Sequence, residues 1–238
     1  MAGGRKGVQR ARMWKYFLDA ATATIEEEGI DHVTIRKISD RAGFTSSTAY
    51  NYFKDLSHLK FFAAMRFTKE YTDELPVYME KGSNTIEKWL YSWECFCKHS
   101  FKEPRIYSVI FMDDLGSSAE DLLDDYYKVY ESELINLPEE IRSIIMNNNF
   151  SQRSALFIQQ AVEEGYMEQA DVKLISDLTL MVWKGMIDTY LNNRSNFTRE
   201  EAVQQTVYII TENILRFVKP EYRDKVNYTL PGDASSFI

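Results

Sequence analysis

The stretch Thr34–Phe53, TIRKISDRAGFTSSTAYNYF, contains two short helical patterns that meet at Gly43. Thr34 is a good N-cap for the first helix, over residues 35–42, and Thr45 is a good N-cap for the second. Glycine allows the positive φ that a tight turn between two steeply crossing helices can require. The stretch therefore predicts a helix-turn-helix, which places its second helix in the major groove of DNA.

The second helix carries short polar side chains and one alanine, between Ser46 and Tyr52. Hydroxyl and amide groups can bond to base edges in the major groove, and the methyl group of Ala49 can contact thymine. Tyr52 and Lys54 at the far end suit phosphates, which position a protein without reading sequence. A purely structural hairpin stays open as an alternative, because many helical hairpins also contain glycine.

Charge is distributed unevenly along the chain. The 238 residues have a formal net charge of −8, which as an average argues against a nucleic-acid partner. Residues 1–60, however, hold ten Lys/Arg and seven Asp/Glu, whereas residues 61–238 hold eighteen and twenty-nine. A basic N-terminal region on an acidic body can direct one surface toward phosphates, so the distribution favours DNA binding.

Helical periodicity continues through nearly the whole chain, and strand-like alternation is scarce. We therefore expect an all-α fold that begins with a basic arm and a three-helix helix-turn-helix domain over residues 1–54. A connecting helix over 55–75, ending before Pro76, should lead into a helical domain over 76–225. The C-terminal tail over 226–238 is expected to fray.

No apolar run approaches the ~20 residues that span a bilayer. The N-terminus lacks the apolar core of a signal peptide. These features predict a cytoplasmic protein without a membrane partner.

Cys95 and Cys97 invite a metal or redox interpretation, but a structural zinc site needs about four ligands and no second cysteine pair exists. Residues two apart on a helix also point to different faces, so we expect two semi-buried thiols, no metal site and no cofactor. The histidines are scattered, and His32 and His58 are expected at solvent-exposed helix ends. Without a Ser/His/Asp set, an HExxH motif or a Gly-rich phosphate loop, the chain is not expected to be an enzyme.

The run GFTSSTAYNYFK over residues 43–54 resembles the signature of the TetR/AcrR family of one-component regulators. In that family a glycine opens the turn, followed by a capping Ser or Thr, a Thr, a Tyr, and a Tyr-Phe pair before a basic residue. Residues 33–42 resemble the family's second helix. The motif resemblance covers about residues 10–62, and the rest of the chain is similar in architecture only.

The resemblance assigns roles to individual residues of the helix-turn-helix. Two departures stand out: Leu56 replaces a residue that is often basic, and Ala49 is smaller than the usual Leu. The implied base readers are Ser46, Ser47, Thr48, Ala49 and Asn51. The implied phosphate-facing, capping and backbone-contacting residues are Thr34, Arg36, Thr45, Tyr50, Tyr52 and Lys54.

The second domain, by the same resemblance, binds a small-molecule effector. Ligand pockets between helices are lined mostly by aromatic and apolar groups, which are dense in this part of the chain. Core packing is the competing interpretation for each of them, and the nearby acids Glu94, Asp113 and Asp114 would favour a cationic ligand. The predicted pocket walls are Trp89, Trp93, Tyr107, Phe111, Tyr126, Tyr130 and Phe157.

The two long C-terminal helices are implied to pair with their symmetry mates as a four-helix bundle. Each carries a continuous apolar stripe, part of which must serve the chain's own core. A dimer is also expected on physical grounds, because two recognition helices can contact successive major-groove faces about 34–36 Å apart. The predicted interface residues are Leu174, Leu178, Met181, Gly185, Val207, Ile210 and Ile214.

The sequence as a whole predicts a homodimeric repressor that binds a double-stranded DNA operator and is released by an unidentified small molecule. The alternative is a TetR-like coactivator that binds proteins and lacks operator recognition. The polar face of residues 46–51 and the basic arm argue against that alternative.

Overall fold

The computed structural model describes residues 5–114, 119–130, 139, 142 and 150–230. All regular secondary structure in these ranges is helical, which confirms the predicted all-α fold. None of the described helices combines the length and the apolar character that a bilayer crossing requires.

One long helix and several short ones form the N-terminal region. Its elements are α1 (Arg5–Glu28), a 3-10 turn (Ile30–His32), α2 (Ile35–Ala42), α3 (Ser46–Tyr50), α4 (Leu56–Met65) and a second 3-10 turn (Arg66–Thr68). The later elements are α5 (Lys69–Met79), α6 (Thr85–Lys102), α7 (Pro104–Phe111), α8 (Ala119–Val129), α9 (Phe150–Glu163), a 3-10 turn (Gln169–Asp171), α10 (Val172–Leu191), α11 (Arg199–Phe217) and α12 (Pro220–Arg223).

The expected connecting helix differs from prediction in two ways. It is interrupted by the 3-10 turn at Arg66–Thr68, and Pro76 lies inside α5 rather than after a helix end. Proline cannot donate to the preceding turn, but its carbonyl can still accept a bond. The carbonyl of Pro76 accepts from the backbone N–H of Glu80 at 2.9 Å, so the helical turn continues beyond the proline.

The chain forms two compact units. The first unit comprises residues 1–69 and 105–135, and the second comprises residues 70–104 and 136–238. Helix α8 and all of α7 except Pro104 therefore belong with the helix-turn-helix region, although α5 and α6 precede them in the chain.

An aromatic cluster forms the core of the first unit. Trp14 of α1 stacks on Phe53 with ring centroids 5.2 Å apart, and it lies 4.5 Å from the ring of Phe62 in α4. Phe62 in turn stacks on Tyr126 of α8 at 6.3 Å. These four side chains are almost completely buried, so one continuous core holds α1, α4, α8 and the end of the helix-turn-helix.

Helix α6 is the centre of the second unit, where it packs against α9, α10 and α11. Trp183 of α10 is fully buried, and its indole N–H donates to the Ser100 hydroxyl of α6 at 3.0 Å. The capping box predicted for α11 is present: Thr198 accepts from the backbone of Glu201, whose carboxylate accepts from the backbone of Thr198.

The C-terminal segment is ordered further than expected. The backbone N–H of Asn227 donates to Glu87 at 2.7 Å, and the Tyr228 hydroxyl lies 2.9 Å from a carboxylate oxygen of Glu94. Glu87 is only 2% exposed and also accepts from the Ser83 backbone. The expected fraying after Lys225 is therefore wrong for Asn227 and Tyr228, because these residues bond to two carboxylates of α6, those of Glu87 and Glu94.

Replacing Gly43 by Ala should lower the free energy of unfolding by about 1–2 kcal/mol, the cost of left-handed backbone for a residue with a Cβ. No atom lies within 4 Å of the position that this Cβ would take, so backbone strain alone sets the cost. Urea denaturation measures it. Gly43→Asn is the matched control and should lose clearly less, because asparagine tolerates this conformation. Equal losses in the two variants would contradict the explanation.

Candidate nucleic-acid interface

The turn of the helix-turn-helix is built by local hydrogen bonds. Gly43 has φ 77° and ψ 26°, and the backbone N–H groups of Gly43 and Phe44 donate back to carbonyls in the last turn of α2. The Thr34 side chain accepts from the backbone of Lys37 at 3.2 Å, and that of Thr45 accepts from Thr48 at 3.3 Å. Both predicted N-caps and the left-handed glycine are thereby confirmed.

Two apolar residues fix helix α3 to the core. Ala49 is 0% exposed and Phe53 is 1% exposed. The prediction that Ala49 reads a base is corrected by this burial, because a fully covered methyl group cannot reach thymine. Its small side chain instead lets the five-residue α3 pack closely against the rest of the first unit.

The opposite face of α3 is open to solvent. Tyr50 is 57% exposed, and Thr45, Ser47 and Asn51 are also exposed. The remaining polar candidates, Ser46, Thr48 and Tyr52, are half-buried. One side of the helix-turn-helix thus presents hydroxyl, phenol and amide groups next to one another, which is the chemistry that base edges and phosphates accept.

Two basic side chains of the neighbouring helix α2 are held by acids of α1. Lys37 lies 2.5 Å from Glu28, and Arg41 makes two hydrogen bonds of 2.6 Å to Glu27, which lower the pKa of that carboxyl. Arg36 is different, because its side chain is 88% exposed and its Nε lies 3.8 Å from a carboxylate oxygen of Asp40. Arg36 is therefore easier to engage with phosphate than its two basic neighbours.

His58 supports the chain just after α3, a role that the sequence did not suggest. Its Nδ1 accepts from the backbone N–H of Lys54 at 3.0 Å, and its ring lies 4.6 Å from that of Phe62. Burial lowers the pKa of His58. The expectation of a solvent-exposed histidine is wrong here, because aromatic rings cover one side of the imidazole, whereas His32 is exposed as expected.

Leu56, the departure from the family pattern, is the first residue of α4 and is half-buried. Asp55 caps this helix by accepting from the backbone N–H of His58 at 2.8 Å. The first turn of α4 therefore offers no cation of its own at this position.

The predicted pocket walls are divided between the two units. Tyr107, Phe111, Tyr126 and Tyr130 belong to the first unit, and Trp89, Trp93 and Phe157 to the second. Most are buried, and Tyr126 stacks on Tyr130 with centroids 4.8 Å apart. Within their own units these residues are packed side chains, and an effector role stays a prediction.

The second unit also contains an open cleft with a volume of about 480 Å³. It lies between α5, α6 and the start of α11, and none of the predicted aromatic walls lines it. The lining residues are Glu70, Glu74, Lys98, His99, Lys102, Arg199, Glu200, Val203 and Gln204.

The predicted dimer residues divide between surface and core. On α10, Leu174 is 50% exposed and Met181 is 67% exposed, with Gly185 exposed and Leu178 half-buried along the same helix. Three residues of α11 are instead almost completely covered within the chain: Val207, Ile210 and Ile214. Their assignment to an interface between copies is corrected, because α11 directs this stripe toward the core that it shares with α6.

A family model described as bacterial regulatory proteins, tetR family, matches residues 17–59. This range begins within α1 and ends within α4, so it contains the whole helix-turn-helix. No curated protein sequence matches the chain.

Solved structures of similar fold extend over most of the chain. RolR in complex with the ligand resorcinol has a TM-score of 0.61 and 18% identity, covering 94% of this chain and 97% of its own. FadR from Bacillus subtilis in complex with stearoyl-CoA has a TM-score of 0.54 and 14% identity, covering 87% and 100%. The fatty acid degradation regulator FadR from Bacillus halodurans has a TM-score of 0.52 and 15% identity, covering 89% and 97%. At these identities the likeness shows a shared fold.

Acidification should destabilise the protein through His58. Because burial lowers its pKa in the folded state, the unfolded chain, with a histidine pKa of about 6.5, binds the proton more readily. Above that pH His58 is neutral in both the folded and the unfolded protein. Below it the unfolded chain binds the proton preferentially, so the free energy of unfolding falls. The melting temperature should therefore decrease between about pH 7.5 and 5.5.

His58→Gln is the matched variant for this titration, since an amide oxygen can accept from Lys54 but does not titrate. Its melting temperature should fall less steeply with pH. Some dependence should remain, because burial also lowers the pKa of His99. A variant with an unchanged or steeper slope would show that His58 is not responsible.

Proposed function

Since residues 17–59 match the model of the tetR family of bacterial regulatory proteins, we propose that the chain is a homodimeric repressor of this family that a small molecule releases from operator DNA. The exposed polar face of α3 is the observation that carries this proposal. Ala49 and Phe53 hold the helix from behind, so Ser47 and Asn51 project from a rigid support. A cytoplasmic location is part of the proposal, because operator DNA lies there.

The proposed DNA contacts follow from exposure and chemistry. Base readout is assigned to the polar residues of α3, now without Ala49, because their hydroxyl and amide groups can bond to base edges. Arg36 and Lys54, both exposed, are assigned to phosphates together with the hydroxyl groups of Thr34 and Tyr50. The proposed base readers are Ser46, Ser47, Thr48 and Asn51.

A second copy of the chain is the proposed occupant of the apolar face of α10. Leu174 and Met181 lie seven residues apart, which places them two turns apart on one side of the helix. Such exposed apolar side chains are stabilised when a symmetric partner covers them. Two α3 helices, one from each copy, would then read one operator.

The effector is proposed to act by differential affinity. The ligand would bind more tightly to a form of the dimer whose two α3 helices are not spaced for the operator. It would lower the affinity for DNA by the factor by which it prefers that form, typically about 5- to 150-fold. RolR and FadR were solved with resorcinol and stearoyl-CoA, respectively, so proteins of this fold bind small molecules of different sizes. We propose an effector for this chain on that basis, without assigning its chemistry.

Asn51→Ala should weaken operator binding by about 1–3 kcal/mol and relax sequence preference at one position, because it removes a bidentate group. Fluorescence anisotropy with DNA selected from a random library, or with the upstream intergenic DNA, measures both quantities. Lys54→Gln should instead weaken all DNA sequences similarly and reduce the salt slope by about 1.

The matched control for the charge change is Lys173→Gln, which removes an 88% exposed lysine on α10 of the second unit. It should leave affinity and salt slope unchanged. If the purified wild-type dimer binds none of these DNAs at low salt, the repressor proposal fails and the protein-binding coactivator is favoured.

Met181→Glu should dissociate the dimer. A carboxylate buried without a partner in an apolar interface is strongly unfavourable, and symmetry places it there twice, so the dimer Kd should rise about 100-fold or more. Sedimentation equilibrium measures the change. Val77→Glu is the control, because Val77 is also exposed (59%) but lies on α5. Equal effects of the two substitutions would refute the α10 interface.

A further inference from the structure

Three side chains of different chemistry converge in the second unit. Each of Glu74, Cys95 and His99 offers one ligand atom, and these three atoms all lie within 4.8 Å of one another. The imidazole Nε2 of His99 is already 3.2 Å from a carboxylate oxygen of Glu74. Among the described residues this is a group with the composition of a metal site rather than a cluster of acids alone.

Two helices supply the three groups. Cys95 and His99 are four residues apart on α6, so their side chains lie one above the other on the same face. Glu74 comes from α5, and Lys98 also holds its carboxylate, at 2.8 Å. Cys95 is 0% exposed and His99 is 5% exposed, whereas the Glu74 side chain is 42% exposed.

The distances between the three ligand atoms are close to those found around a tetrahedral metal ion. Zinc–ligand bonds of about 2.0–2.3 Å separate neighbouring ligand atoms by roughly 3.3–3.8 Å. Glu74 and His99 are close to that separation already, and the Cys95 sulfur lies within 4.8 Å of both ligand atoms, so it would need to approach by at most roughly 1 Å.

The ionisation states suit a cation at two of the three positions. The hydrogen bond from Lys98 lowers the pKa of Glu74, and burial lowers the pKa of His99, so the carboxylate is charged and the imidazole neutral near pH 7. Burial raises the pKa of Cys95, so the free thiol keeps its proton. A bound metal ion reverses this last effect, because a coordinating thiol is deprotonated outright.

We infer that Glu74, Cys95 and His99 form a site for a divalent transition-metal ion, with Zn²⁺ as the ion that this ligand set suits. A thiolate and an imidazole together disfavour Mg²⁺ and Ca²⁺, which take oxygen ligands. Binding would fasten α5 to α6 within the second unit. The inference is independent of the proposed repressor function.

The charged cleft described above supplies the rest of the coordination. Glu74 and His99 both line it, so a fourth ligand, water or a donor atom of a small molecule, can approach from solvent. Zinc is known to be held by three protein ligands with water or a small molecule in the fourth position. Lys98 competes with the ion for Glu74, because its ammonium now occupies the same carboxylate oxygen.

Reduced protein should be titrated with Zn²⁺ against a chromogenic chelator, and separately with Co²⁺, whose thiolate charge-transfer band reports a bound cysteine. The wild type should bind one equivalent of zinc and develop the cobalt band. Cys95→Ser and Glu74→Gln should each weaken zinc at least about tenfold, because even outer-shell losses cost 10–100-fold. Cys95→Ser should also abolish the band.

Two matched variants complete the experiment. Cys97→Ser removes the other buried thiol, which is not part of the group, and should retain the band and bind zinc within about threefold of wild type. Lys98→Gln removes the competing ammonium and should bind zinc as tightly or more tightly. Circular dichroism checks folding, and if a cysteine variant does not fold, the half-exposed Glu74→Gln decides.

The inference is overturned if reduced wild-type protein binds no stoichiometric zinc. It is also overturned if affinity is unchanged in Glu74→Gln or the cobalt band persists in Cys95→Ser. In those cases the three residues form only an ion-pair and hydrogen-bond network between α5 and α6.

Discussion

A helix of five residues cannot be stable by itself, and this constraint shapes the whole first unit. Isolated helices shorter than about 12–15 residues are marginal in water, so α3 depends on its surroundings. Ala49 and Phe53 supply the buried side, Thr45 supplies the cap, and the left-handed Gly43 sets the direction of entry. The exposed polar face is therefore positioned by the core behind it, which extends through Trp14 to the aromatic rings of α4 and α8.

Electrostatics refine this picture of a DNA-facing surface. The acidic end of α1 neutralises Lys37 and Arg41, so these cations orient α2 against α1 rather than adding free charge to the surface. Exposed ion pairs contribute little to stability, and their main effect here is on where positive charge remains available. Under the proposed function Arg36 is one of the few α2 cations left for phosphate, and the proposed dimer would present it twice.

Local features of this chain were predictable because their causes are local. Caps, the glycine turn and the helical period depend on neighbouring residues, and the structure contains them where the sequence indicates. Whether an apolar stripe lies in the core or on the surface was not predictable, because helical periodicity identifies the stripe but not the residues that pack against it. Ile210 and Met181 both lie in such stripes, but Ile210 is 0% exposed and Met181 is 67% exposed. Ala49 was misjudged for the same reason.

The pair of Cys95 and His99 shows the same limit of local prediction for a candidate metal site. Its spacing of four residues on α6 was visible in the sequence, whereas the C-x-C spacing drew attention to Cys97, which is not part of the group. Glu74, from α5, could not be assigned to the pair without a tertiary structure, because no local rule relates residues on separate helices. A pair of potential ligands at helical spacing is therefore best judged by the residue that the adjacent helix brings to it, and here that residue is an ionised carboxylate at the edge of an open cleft.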